Sequence, residues 1–225
     1  MQPPDAVRLL CAVFFAILLF TTSSRAADPA TITFSLDFPQ SDPEHYSIAV
    51  NSDGHARYEC TALIATGSDD HETYQTEFTL SEPTRARIFD LAAQAHYFSG
   101  KIDSGNRKLA FTGAKKLTYS DGQRNNTGEY NVAVQPSVLQ LTTLFQNLAT
   151  TLEYGRRLEH LHRYQKLALD DELKRMEEQA RHGELAELQA VKTTLQQIYD
   201  DQSVMNVVRA RAERIMEMPP SSTQR

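Results

Sequence analysis

The chain has 225 residues and carries 23 lysine and arginine side chains against 29 aspartates and glutamates, a formal net charge of −6 at pH 7. Because a nucleic-acid binder neutralises phosphates with clustered cations, this acidic balance argues against that class of function. Only one of the two cysteines, Cys60, lies beyond the N-terminal apolar segment, so the mature chain can form no intramolecular disulfide. Burial of apolar side chains therefore has to stabilise the fold.

The N-terminal segment is typical of an export signal. Arg8 precedes an apolar run at residues 9–20, and these twelve residues would span only about 18 Å as a helix, against roughly 30 Å for a bilayer core. Residues 24–26, Ser-Arg-Ala, then offer the small side chains that a signal peptidase accepts. We expect cleavage before Ala27 and an exported protein, periplasmic or extracellular, without a membrane span. An uncleaved anchor is the alternative.

Alternation of apolar and polar residues predicts four strands in the first part of the mature chain. At residues 31–36 the side chains of Ile32, Phe34 and Leu36 fall on one face, as in a strand with one buried side. The same period recurs at residues 46–50, 55–64 and 74–78. The Asp-Gly pair at 53–54 tolerates positive φ, which predicts a hairpin around it.

A helix and a second hairpin are predicted next. Ser81 can cap the helix and Gly100 can end it. The apolar stripe of this helix consists of Ile88, Leu91, Ala92, Ala95 and Phe98. Runs at residues 115–120 and 129–134 then flank turn-forming residues at 121–122 and 126–128, which predicts a hairpin with a longer, flexible connection.

From Ser137 onward the apolar period is helical, and the first helix of this region is expected to pack on the sheet. Gly155 predicts a kink or a break, Gly183 a helix cap, and the aspartates at 200–201 a second break. The stripes beyond Gly155 contain Leu158, Leu161, Leu173, Leu188, Leu195, Val208 and Ile215, and the last helix is marked by Val204, Val207, Val208 and Ile215. We expect burial of these stripes within one chain, with packing on a second copy left open.

These elements predict an α+β fold, in which an antiparallel sheet with one or two packed helices is followed by an all-helical C-terminal region. The predicted organisation is a signal peptide at residues 1–26, a sheet-and-helix domain at 27–155, a helical subdomain at 156–218 and a disordered tail at 219–225. The layout of residues 46–58, 81–98 and 115–134 resembles exported bacterial proteins of unknown function. That resemblance covers the sheet domain and implies no activity.

Two groups of residues suggest metal chemistry. Glu159 and His162 have the Glu-x-x-His spacing of one half of a di-iron site, but no second copy of the motif accompanies them. His160 points about 200° away from His162 around a helix, so these two cannot share an ion. His71 follows the acids at 69–70, where acid, base and ligand groups stand together. Solvated or packing roles are the interpretation that we favour for all of them.

Candidates for covalent chemistry are equally few. No Gly-x-Ser-x-Gly or Walker motif occurs. Cys60 has apolar or aromatic neighbours at two-residue spacing, which predicts a buried, unbridged thiol, and His55 falls on the opposite face of the same strand. Residues 125–127, Asn-Asn-Thr, match a glycosylation acceptor, which a turn explains equally well. No catalytic, cofactor-binding or metal-binding residue is assigned.

Two functions remain. The first is an exported non-enzymatic scaffold or protein-binding module, which binds a partner or a second copy through its C-terminal helices and needs no cofactor. The second is an envelope hydrolase whose site is assembled from distant segments. A pocket with convergent His, Asp or Glu side chains would favour the enzyme, whereas exposed apolar residues on the last helices would favour the binding protein.

The export signal generates a first prediction. Protein recovered from the periplasm or the medium should have an intact mass that begins at Ala27, because the peptidase cuts after the small residue at position 26. Recovery of the full-length chain in the membrane fraction would show that the apolar segment is an anchor.

Overall fold

The computed structural model describes residues 29–39, 41–63 and 71–219. The predicted signal peptide and all but the first residue of the predicted tail lie outside these ranges. Within them the chain forms an antiparallel sheet followed by helices, which confirms the α+β fold with a helical C-terminal region. Of the helices in the described ranges, none is both long enough and apolar enough to cross a membrane.

The sheet has six strands, arranged in the order β4-β3-β2-β1-β5-β6 with every neighbouring pair antiparallel. The strands are β1 Thr31–Asp37, β2 His45–Asn51, β3 His55–Leu63, β4 His71–Thr79, β5 Ala114–Ser120 and β6 Asn125–Tyr130. Because side chains alternate along a strand, Ile32, Phe34 and Leu36 all face the core. The predicted hairpin between β2 and β3 is present, with Gly54 at φ +94° in its turn.

The second hairpin is tighter than expected, and the prediction of a longer, flexible connection is wrong. Its turn spans only residues 121–124, where the Asp121 carboxylate accepts the backbone N–H groups of Gln123 and Arg124. Gly128 lies inside β6, not in a turn. A Cβ there would stand 2.3 Å from Ile102 Cδ1, so this glycine permits close packing against the segment that covers β6.

Helix α1, Glu82–Gln94, begins after Ser81 as predicted, but Ser81 does not cap it through its side chain. Its hydroxyl donates to Glu187 Oε1 at 2.6 Å, which ties the start of α1 to the C-terminal region. The helix ends six residues before Gly100. A left-handed 3-10 turn, His96–Phe98, follows instead, with positive φ at all three residues.

Helix α2, Pro136–Tyr164, runs without interruption through Gly155, so the predicted kink or break there is wrong. A Cβ on Gly155 would lie 2.6 Å from Val191 Cγ1. Glycine at this position therefore lets the 3-10 turn Leu188–Val191 pack directly on the helix backbone. Gly155 thus marks a close approach between α2 and the turn at Val191, and not the end of a helix.

The apolar interior consists of two clusters that meet along α2. One face of the sheet packs against α1 and the first half of α2, and its innermost contact stacks Phe34 on Phe145 with ring centroids 5.2 Å apart. Leu152 belongs to this first cluster and Tyr154 to the second, which lies among the C-terminal helices. A single continuous helix thus contributes to both clusters.

The C-terminal helices are α3 Leu169–Arg181, α4 Lys192–Asp200 and α5 Asn206–Met216. Gly183 ends α3 as predicted, because the N–H of Glu184 bonds Gln179 and that of Gly183 bonds Ala180, the Schellman pattern. Most of the predicted stripe is buried within one chain, as expected, the fully buried members being Leu158, Leu173, Leu195, Val208 and Ile215. Leu161 and Leu188 are only half-buried, and Val207 is exposed.

Gly155 generates a prediction whose sign is opposite to ordinary helix propensity. Gly155→Ala should lower the free energy of unfolding by about 1–3 kcal/mol, because the added methyl group overpacks against the stiff, β-branched Val191. In a Val191→Ala background the same change should stabilise the protein by up to about 1 kcal/mol, the usual gain for Gly→Ala in a helix. Urea denaturation of the four proteins measures both values, and a loss of equal size in both backgrounds would contradict the contact.

Candidate functional site

A buried carboxylate, that of Glu153 on α2, lies beneath the sheet. Tyr58 Oη donates to its Oε1 at 2.6 Å, and Cys60 Sγ donates to the same oxygen at 3.2 Å. Arg156 Nε donates to Oε2 at 2.9 Å. These four residues, called the Glu153 cluster below, bring a phenol, a thiol, a carboxylate and a guanidinium together from segments far apart in the chain.

Local structure explains why these residues meet. Tyr58 and Cys60 are two apart on β3, so both face α2, and Glu153 and Arg156 are three apart on α2, so both face the sheet. Arg156 reaches further, to the carbonyl of Leu63 at 3.3 Å and to Glu72 Oε1 at 3.7 Å. The guanidinium therefore links α2 to the end of β3 and to β4.

The electrostatics of the cluster keep its reactive groups protonated. Burial, reinforced by the negative charge of Glu153, raises the pKa of the Cys60 thiol to about 12. The same two causes raise the pKa of Tyr58. Because the thiolate is the nucleophilic form of cysteine, Cys60 acts at neutral pH as a hydrogen-bond donor. The cluster joins helix to sheet.

The structure confirms the prediction for Cys60, whose thiol is buried and unbridged. His55 lies on the opposite face of β3 and is exposed, so it does not pair with Cys60. The acids at 69–70 fall outside the described residues, and His71 Nε2 lies 3.7 Å from Glu44 Oε2. Asn125, the first residue of the glycosylation motif, is exposed at the start of β6, and Asn126 Nδ2 donates to the carbonyl of Tyr97.

The predicted Glu-x-x-His pair does not form a metal site. Glu159 accepts a hydrogen bond from Thr194, whereas His162 Nε2 lies 2.8 Å from Asp201 Oδ2 and so ties α2 to the corner between α4 and α5. The ring of His160 packs on that of Tyr164. Across the parts of the chain that are described, no three His, Cys, Asp or Glu side chains are grouped so as to hold a metal ion.

Two further buried carboxylates lie on α3. Glu172 accepts from Arg157 Nε at 2.6 Å and pairs with Arg175. Burial alone would raise the pKa of Glu172, but these two arginines outweigh it and lower the pKa. Asp171 lies four residues before Arg175, a favourable spacing for a helical ion pair, but Arg175 pairs with Glu172, three residues back. Arg175 therefore pairs with the buried carboxylate of Glu172 in preference to Asp171.

Glu177 is the other buried carboxylate, and it is surrounded by arginines. Arg181 Nη2 donates to Oε1 at 2.5 Å, Arg211 Nη1 to Oε2 at 2.7 Å and Arg214 Nε to Oε1 at 3.0 Å. The hydrogen bonds from Arg214 and Arg211 lower the pKa of this carboxylate. The pair with Arg181 matches the four-residue spacing seen in the sequence, and the pairs with α5 are visible only in the fold.

Large apolar side chains are exposed at one end of the helical region. We call Tyr164, Leu167, Met205 and Val207 the helical tip; their exposed fractions are 65%, 83%, 46% and 52%. Lys166 Nζ bonds Asp201 Oδ2 and Ser203 Oγ, each at 2.6 Å, and so holds the two halves of the tip together.

The sequence analysis took Val207 together with Val208 as a marker of the last helix and overlooked the other three members of the tip. A signal was present, because residues one apart on a helix point about 100° apart, so Val207 and Val208 cannot share a stripe. Leu167 lies in a single 3-10 turn after the end of α2. A turn this short has no hydrophobic periodicity, so the sequence pattern gives no information on its exposure.

Comparison with known proteins adds no identification. No protein-family model matches the chain, and no curated protein matches its sequence. The class of protein defined by the fold is an α+β sheet domain that continues into a helical region through one shared helix. Its function has to follow from the geometry.

The Glu153 cluster generates a prediction with a built-in control. Glu153→Ala should lower the free energy of unfolding by about 3–5 kcal/mol, because it leaves the buried Arg156 without its main partner. Glu72→Ala removes the other carboxylate near the same arginine, but that side chain is 46% exposed and 3.7 Å away, so the loss should stay below about 1 kcal/mol. Chemical denaturation measures both, and equal losses would show that the buried pair has no special role.

Proposed function

We propose that this protein is an exported, non-enzymatic scaffold that binds a partner protein through its helical tip. The observation that carries the proposal is the exposure of four large apolar side chains at one end of a region whose remaining stripes are buried. An apolar cluster left in water on a well-packed support is typical of an interaction surface. The signal-like segment at residues 1–26 supports the assignment to an exported protein.

The support beneath the tip is rigid. Asp201 bonds both His162 and Lys166, which come from the end of α2 and the turn after it. Arg209 Nε donates to the carbonyl of Tyr199 at 2.7 Å and closes the corner between α4 and α5. Apolar side chains held in place by such contacts lose little freedom on binding, which favours affinity.

The shape of the tip favours a different protein over a second copy as the occupant. Leu167, on a single 3-10 turn between two helices, protrudes with 83% of its surface exposed. A two-fold dimer would have to bring this exposed side chain against the same surface of the second copy, and an isologous interface must be self-complementary. A concave apolar groove on a partner accommodates such a protruding side chain, in the way that helical anchors fill grooves.

The Glu153 cluster supports a structural role for the polar residues that the fold brings together. Its phenol and thiol both donate to one carboxylate, and the raised pKa of Cys60 keeps that thiol neutral. A nucleophile would need the opposite shift, toward a thiolate. A hydrolase would need side chains from distant segments to converge on one site. The side chains that converge in this cluster hold α2 against the sheet.

The proposal is tested at Leu167. A photoreactive side chain placed at 167 in exported protein should cross-link one partner, and the same side chain at 139 should not, although Leu139 is also an exposed leucine, at 44%. With the purified partner, Leu167→Glu should weaken binding about 30-fold, the effect of losing an apolar hot spot worth roughly 2 kcal/mol. Leu139→Glu is the matched control.

Neither substitution should change the melting temperature, since both side chains are exposed. Equal cross-linking from positions 167 and 139 would refute the tip as a specific surface. A wild-type dimer in light scattering that Leu167→Glu converts to a folded monomer would show self-association and overturn the proposed partner.

A further inference from the structure

A cleft of about 370 Å³ lies between α3 and α5. It is lined by Lys174, Glu177, Glu178, Arg181, His182 and Arg211. On α3, Glu177 and Glu178 each lie three or four residues from both Lys174 and Arg181, so these four line one side of the helix. Its volume is within the range of small-ligand pockets.

Cations dominate the part of the cleft that a ligand can reach. Glu177 has a side-chain exposure of only 3% and is covered by guanidinium groups, so its charge is already neutralised. Lys174 is exposed, and its ammonium group has no ion pair or side-chain hydrogen bond within the described chain. Arg181 is 63% exposed. The lining therefore carries three cations, Lys174, Arg181 and Arg211, against the two carboxylates of Glu177 and Glu178.

Several hydrogen-bond donors in the cleft are unused. Arg181 bonds Glu177 through Nη2 alone, which leaves its Nε and Nη1 free within the residues described. Arg211 Nε is buried and has no partner in the same ranges, although both of its other nitrogens are bonded. His182 adds a ring N–H in either tautomer. The exposed donors bond water in the free protein and are available to a ligand, whereas a buried donor without a partner, such as Arg211 Nε, is unusual in proteins.

We propose that this cleft binds a small ligand through a tetrahedral oxyanion, a phosphate or sulfate group. The donors come from α3, from His182 directly after its last residue and, across the cleft, from α5, so they approach from several directions. A tetrahedral anion presents acceptor oxygens in several directions, whereas a carboxylate presents two in one plane. Metal cations are repelled by the same guanidinium groups. The site is positive on a chain whose net charge is −6.

Nuclear magnetic resonance titration of the mature protein tests this site with inorganic phosphate, inorganic sulfate and acetate, each against sodium chloride of equal ionic strength. Phosphate and sulfate should shift the amide signals of residues 174–182 and Arg211 saturably in the millimolar range, and acetate should bind more weakly. Lys174→Ala should weaken phosphate about tenfold, the effect of losing one charge-assisted hydrogen bond.

Lys192→Ala is the matched control, because it removes one charge from another exposed lysine on a helix, and it should change the affinity by less than about twofold. Both lysines are exposed, so neither variant should unfold. Equal weakening by the two substitutions would show non-specific charge attraction and overturn the site. Signal changes that never saturate, or acetate binding as tight as phosphate, would overturn it as well. Binding to the tip plays no part in this test.

Discussion

The structure depends on the continuity of helix α2. Its first half packs Phe145 against Phe34 in the sheet, and its second half supplies Leu158 to the cluster among the C-terminal helices. Gly155 makes this possible, since any larger residue would push the turn at Val191 away from the helix backbone. One continuous helix contributes side chains to both apolar clusters. The sheet and the helical region are therefore connected by a shared helix and not by a flexible linker.

Buried carboxylates determine how the helices face one another. Arg157 on α2 reaches Glu172 on α3, and Arg211 on α5 reaches Glu177 on α3. Desolvation of the ions offsets much of the attraction, so such pairs add less to net stability than their short distances suggest. An arginine from one helix and a glutamate from the next must nevertheless meet, which favours one register over others. The Glu153 cluster has the same role between α2 and the sheet.

The sequence predicts the parts of the fold that rest on local periodicity. Alternation finds the strands, and Gly183 identifies the end of α3, because both follow from backbone geometry within a few residues. Gly128 and Gly155 were misread as turn or break signals. Their role is to leave room for Ile102 and Val191, which are 26 and 36 residues distant in the chain. A glycine that permits close packing cannot be distinguished from a turn glycine until the partner is known.

The functional surfaces were harder to predict than the fold, for the same reason. Cys60 was expected to be buried, yet Glu153 was not expected beside it, because sheet and helix come together across 93 residues of chain. The arginines around Glu177 belong to two helices, and only the Arg181 pair has a local spacing. Non-local contacts of this kind leave no period in the sequence.

The two proposed surfaces are adjacent on α5, where Val207 of the tip lies one turn from Arg211 of the cleft, and they are further apart along α3. Helix α3 begins two residues after Leu167 of the tip, and the cleft starts at Lys174 and ends at His182. At a rise of 1.5 Å per residue, the middle of the cleft lies roughly 14 Å along the axis from the start of the helix. A ligand at the middle of the cleft thus lies well away from Leu167 of the tip. Any coupling between the two has a direct path along α5, whose buried Val208 and Ile215 hold it against the second core.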